Sequence, residues 1–157
     1  MAKGLITPGQ ALRRIMSREV ANVYTFFGDD IFFHDVIIDG LQKVFNAQGG
    51  EKNNLIMGVD SESNLLDQLN MNSLFSEKSI IVVRNCKKIN RKYHSDILDY
   101  CKSAYDDKIL VLIYDDPYAK NKFIDNIRQL STAIDMRTPF PNKMKEWVIY
   151  YAKKNNI

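Results

Sequence analysis

Apolar runs of β character alternate along the chain with segments of helical period. "NVYTFF" (22–27), "NLIMGV" (54–59), "SIIVVR" (79–84), "KILVLIY" (108–114) and "TAIDMR" (132–137) are the predicted strands. Two of the five are apolar almost throughout rather than alternating, the pattern of strands covered on both faces. Between them lie "DIFFHDVIIDGLQKVFN", "SNLLDQLNMN", "RKYHSDILDYCKSAY" and "AKNKFIDNIRQL". Phe33, Ile37, Leu41 and Val44, and again Phe123, Ile124, Ile127 and Leu130, recur at helical spacing. Parallel neighbours need such crossovers, so strand and helix in alternation specify a three-layer αβα domain around a mostly parallel five-stranded sheet.

Two further helices flank that unit. Thr7-Pro8 reads as an N-cap followed by the first helical position, opening "PGQALRRIMSRE". After "TPFPN" breaks the chain, "KMKEWVIYYAKKNNI" sets Met144, Trp147, Val148 and Tyr151 on one stripe. Residues 1–140 are therefore expected to form one α/β domain, and 141–157 to start a second unit that is cut off.

Composition adds limits. A chain of 157 residues suits one domain with a continuous core. No segment approaches the roughly 20 consecutive apolar residues of a membrane span, and the first residues hold no apolar run of signal-peptide length. A cytoplasmic protein that does not enter the membrane is expected. Cys86 and Cys101 have no histidines at metal spacing, and His34 and His94 stand far apart, so reduced structural thiols and no metal are expected. The net charge of +3 is modest but uneven. "RNCKKINRK" (84–92) holds Arg84, Lys87, Lys88, Arg91 and Lys92 with no acid, a cluster that either attracts nucleic-acid phosphate or is a solvated loop and helix face.

Ligands of such folds bind at the carboxyl ends of the strands. The first turn, "FFGDDIFF", offers one glycine followed by Asp29 and Asp30, where a phosphate loop needs several glycines and a Lys-Ser/Thr pair. Two carboxylates at a helix start suit the helix dipole but repel a triphosphate. "ILVLIYDD" ends in Asp115 and Asp116, which imitate the magnesium-holding acid of nucleotide hydrolases but also read as ordinary turn residues before a proline. No nucleophile and base stand in a recognisable pattern, so neither a catalytic site nor a cofactor is expected.

A binding surface remains. In "NMNSLF" (70–75), Met71, Leu74 and Phe75 fall at i, i+3 and i+4, on one side of a helical turn. They either fill a core or wait for a partner, and the residue pattern alone leaves both open.

"VYTFFGDDIFFHDVIIDGL", "LLDQLNMNSLFSEKSIIVVRN", "KILVLIYDDP" and the closing "KEWVIYYAKKNNI", in that order and spacing, carry a further reading. Over nearly its whole length the chain resembles the N-terminal domain of the delta-subunit family of bacterial DNA polymerase III, the clamp-loader component that grips the sliding clamp. The resemblance implies an AAA+ domain, P-loop-NTPase-like by fold, that has lost its phosphate loop and is not an enzyme by itself. It implies the sliding clamp (the beta subunit) as partner, with the other loader subunits and DNA reached through the complex. Clamp-binding motifs of this system place a Gln, a spacer and Leu-Phe. Here Asn70 stands at the Gln position, followed by Met71, Ser73, Leu74 and Phe75. The family continues into a lid and a helical collar, so the last helix is expected to open the lid. Two other classes stay open: a nucleic-acid-binding α/β module using residues 84–92, and a diverged P-loop nucleotide hydrolase.

Overall fold

The computed structural model describes residues 4–45, 50–71, 78–139 and 141–154. Strands β1 (Val23–Phe27), β2 (Glu51–Ile56), β3 (Ser79–Arg84), β4 (Lys108–Tyr114) and β5 (Thr132–Asp135) form one sheet in the order β2-β3-β4-β1-β5. Every pairing between them is parallel, where the sequence led us to expect a mostly parallel sheet. Six α-helices stand among the described residues: α1 (Pro8–Met16), α2 (Ile31–Phe45), α3 (Glu62–Asn70), α4 (His94–Lys102), α5 (Lys122–Leu130) and α6 (Pro141–Lys154).

Strand side chains alternate between two cores. Tyr24, Phe26, Ile80, Val82, Ile109, Val111 and Ile113 point to one face and meet Leu12 and Ile15 of α1 and Phe33, Ile37 and Leu41 of α2. Val23, Phe27, Ile81, Val83, Leu110 and Leu112 point to the other and meet Leu65 and Leu69 of α3, Ile97 of α4 and Ile127 of α5. That double cover is why β3 and β4 carry continuous apolar runs. The entry of α1 is fixed as its residues demand: the Thr7 hydroxyl accepts the Gln10 N–H at 3.1 Å, the Gln10 side chain accepts the Thr7 N–H at 2.9 Å, and Pro8 opens the helix.

Several boundaries differ from the expected ones; α1, for example, ends at Met16 and α5 begins at Lys122, three residues inside the quoted segments. The second strand occupies Glu51–Ile56 rather than 54–59, because it lies at the sheet edge and buries only Leu55, so its polar first half carries no apolar signal. Gly58, at φ +94°, then turns the chain. The helix expected from residue 91 begins as a single 3-10 turn, Arg91–Tyr93, and becomes α-helical at His94. β5 stops at Asp135.

α6 buries none of its residues. Of its expected stripe only Trp147 is partly covered, its ring meeting Phe33 edge-on at 5.0 Å and Phe32 at 6.3 Å, while Met144, Val148 and Tyr151 are exposed. The helix rests on the start of α2 through the Trp147 indole and the Tyr151 ring, which meets Phe32 edge-on at 5.5 Å.

Candidate functional site

The connectivity singles out one crevice. From β1 the chain crosses by α2 on one face to β2, and from β4 it crosses by α5 on the other face to β5. β1 and β4 are neighbours whose crossovers diverge, and the gap at their carboxyl ends is the usual ligand position of an open α/β sheet. The connection from β1 to α2 consists of Gly28, Asp29 and Asp30. Gly28 has φ +137°, donates its N–H to the Tyr114 carbonyl at 2.9 Å, and sits so close to the β5 exit that a Cβ would lie 2.3 Å from the Met136 carbonyl carbon. Asp30 accepts the Phe33 N–H at 3.2 Å and so caps α2. On the β4 side, Asp116 accepts the Tyr118 N–H at 2.9 Å, a turn hydrogen bond, with Asp115 exposed beside it. Three residues make one tight corner, not the run of N–H groups that wraps a phosphate. No group of three or more His, Cys, Asp or Glu among the described residues is placed to hold a metal ion.

A buried histidine closes the crevice from beneath. His34, 1% exposed, donates from Nε2 to the Gly28 carbonyl at 2.8 Å, and its Nδ1 lies 3.5 Å from the Arg84 guanidinium. A carbonyl can only accept and a guanidinium can only donate, so the neutral Nε2–H tautomer is the one that satisfies both. Burial pushes its pKa below the ordinary value and the Arg84 charge pushes the same way, outweighing the Gly28 hydrogen bond and the Asp115 and Asp30 carboxylates. The first corner, α2 and the end of β3 are thereby tied together by residues far apart in sequence.

The basic run follows directly at this edge, and the fold divides it. Arg84 is half-buried and engaged with His34. Lys87, Lys88, Arg91 and Lys92 are exposed on two 3-10 turns pinned by buried Cys86 and Ile89. The Cys86 thiol donates to the Val83 carbonyl at 3.2 Å, and burial pushes its pKa up, so both cysteines, buried and unpaired, are packing residues. Arg91 also borders a groove of about 380 Å³ between the starts of α4 and α5, with Lys122, Ser95, Asn121 and a stacked pair, His94 on Phe123 at 3.9 Å. Two helix N-termini, cations and an aromatic floor make this a surface suited to phosphate.

Asn70 and Met71, the first residues of "NMNSLF", lie at the opposite edge. Leu65 and Leu69 of α3 are fully buried, and the Asn70 amide turns back to donate to the Leu66 carbonyl at 2.8 Å. Met71, the first residue past the helix, is 62% exposed, so it does not fill the core. Ser73, Leu74 and Phe75 lie outside the described residues. Lys108, the first residue of β4, donates from Nζ to the Met71 carbonyl at 2.6 Å, which fixes this corner at the amino end of the sheet. Strands of about six residues rising roughly 3.3 Å each separate it from the basic edge by about 20 Å.

Sequence reasoning passed over His34, Lys108 and the Lys122 groove. His34 and Arg84 stand fifty positions apart, so no local pattern links them. Lys108 left one trace, a lone charge heading a strand otherwise apolar throughout.

No protein-family model matches the chain, and no curated protein matches it. Among solved structures it is similar to the Bacillus subtilis DNA clamp loader delta protein, with a TM-score of 0.73 over 95% of this chain at 13% identity. The match covers 48% of that protein, so this chain spans about half its length. The likeness is one of fold, a three-layer α/β unit on a five-stranded parallel sheet.

Proposed function

We propose that this chain is a delta-like clamp-loader unit that binds a ring-shaped sliding clamp through the corner following α3. The observation that carries the reading is the likeness of fold, over 95% of the chain, to a clamp loader delta protein. The exposed Met71 at the end of a helix whose core positions are already filled supports the same corner as the contact. In this reading Leu74 and Phe75 seat in a preformed pocket of the clamp with Met71 beside them, while Asn70 and Ser73 line the approach. Apolar anchors of this kind carry most of an interface's free energy, and truncating one commonly removes upward of about 2 kcal/mol. Opening a ring further requires tighter binding to the open clamp than to the closed one, since equal affinity shifts nothing.

The acidic three-residue corner at β1 supports a unit that uses no nucleotide and catalyses nothing itself. α6, which meets the start of α2 through Trp147 and Tyr151, is read as the opening of the lid. The reading is tested by calorimetric titration of the chain into the sliding clamp of the same source. Binding is expected, and the Leu74→Ala, Phe75→Ala variant is expected to lose at least about thirtyfold in affinity. Equal affinity of a folded double variant would overturn the assignment.

A second reading rests on the exposed cations at the other edge. Lys87, Lys88, Arg91 and Lys92, with the Lys122 groove, suit DNA phosphate. If they contact DNA, affinity falls steeply with salt, and replacing the four with glutamate flattens that slope; an unchanged slope would remove this reading.

A further inference from the structure

We propose that Lys108 is a positioning residue for the clamp-facing corner: from the head of the central strand β4 it holds the exit of α3 and so sets where Met71 points. The inference rests on the clamp-binding reading above. A lysine that is 5% exposed needs partners for its ammonium, and three are in place. Nζ donates to the Met71 carbonyl at 2.6 Å, lies 3.2 Å from an Asp107 carboxylate oxygen, and stands 5.3 Å from the centre of the Tyr105 ring. The loop that delivers it is itself fixed, because the Asn22 amide donates to the Tyr105 carbonyl at 3.1 Å and the Lys108 carbonyl at 3.2 Å.

Among the described residues, the other end of the contact has no basic side chain of its own helix beside it. Helices commonly end on a glycine in the left-handed region or carry basic side chains in the last turn, which satisfy the final carbonyls and suit the dipole. α3 has no basic residue in its last turn, and its C-cap, Met71, is extended at φ −73°, ψ 123°. Lys108 supplies the missing cation from another element. Because β4 is paired on both sides and buried along its length, the α3 exit is referred to the most rigid part of the sheet. A partner-facing side chain on such a support loses little freedom on binding, which is how preorganisation raises affinity.

The test compares Lys108→Met, which keeps the stem and removes the donor, with Lys108→Arg, which keeps a charged donor. Clamp affinity is titrated well below each variant's melting temperature, alone and combined with Met71→Ala. Lys108→Met is expected to weaken binding about tenfold and Lys108→Arg to recover most of it. In the Met71→Ala background the same substitution is expected to cost less than about threefold, because residues acting through one another are not additive. Should Lys108→Met fail to fold, Lys108→Gln retains a shorter N–H donor and is expected to show the same coupling with a smaller loss. If the wild-type chain binds no clamp, the clamp reading itself fails. If it binds and the Lys108 variants bind as tightly, or their losses simply add to that of Met71→Ala, Lys108 is a packing residue and the inference is wrong.

Discussion

His34 shows how two fixed neighbours dictate a protonation state. With the Gly28 carbonyl accepting at one nitrogen and the Arg84 guanidinium facing the other, a second ring proton would point at a cation. The folded-state pKa is therefore depressed, first by burial. His94 is depressed as well, again first by burial. Both histidines are neutral in either state above the ordinary value of 6.5, where their contribution is fully present. As pH falls below that value the unfolded chain takes up protons before the folded one, and stability is lost until the lowered folded pKa is passed. Melting temperature is thus expected to drop between about pH 7 and pH 5. His34→Gln, whose amide can still donate to the Gly28 carbonyl, is expected to flatten that slope and leave the part owed to His94. A slope unchanged in His34→Gln would mean that the histidine is accessible to protons without cost. None of this was legible in sequence, where His34 is one of several polar residues on an amphipathic helix.

At the scale of elements, legibility followed burial. β3 and β4 were recognisable because both faces are covered, and α5 because its Phe123, Ile124 and Ile127 pack as spaced. β2 was displaced because an edge strand with one buried side chain has little apolar pattern to read. The order of strands was not legible, since crossovers of similar length can join adjacent strands, as α3 does, or pass over two others, as α2 does. In "NMNSLF" the sequence left core and surface equally open, and the exposure of Met71 answers for that residue. α6 yields a prediction at this scale. A fully buried tryptophan truncated to alanine costs about 3 to 5 kcal/mol. Trp147 is only partly covered, against α2 and near Gly9 of α1, so Trp147→Ala is expected to cost about 1 to 2 kcal/mol in denaturant unfolding while the sheet domain still unfolds as one transition. Loss of the whole fold would show that α6 belongs to the core of this unit.

The whole molecule presents two edges of opposite character. The carboxyl edge combines an acidic, closed crevice with exposed cations beside it; the amino edge presents the exposed Met71, whose backbone carbonyl a buried lysine holds. A crevice without a phosphate loop should bind no nucleotide, so magnesium and ATP are expected to leave the melting temperature unchanged, because only a ligand of the native state can raise it. A dose-dependent rise would restore the nucleotide-hydrolase reading. Separation of the edges also means that clamp and DNA contacts should be independent: charge reversal at Lys87, Lys88, Arg91 and Lys92 is expected to leave clamp affinity unaltered at moderate salt, where charges about 20 Å apart are screened.

The most direct test of the central claim is one paired titration, of this chain against the intact sliding clamp and against a clamp variant whose ring interface has been broken. Binding to both is expected, tighter to the broken ring, with the difference measuring the free energy available to open the closed one. Equal affinity would leave a clamp binder that cannot open its partner, and no binding to either by the folded chain would contradict the account.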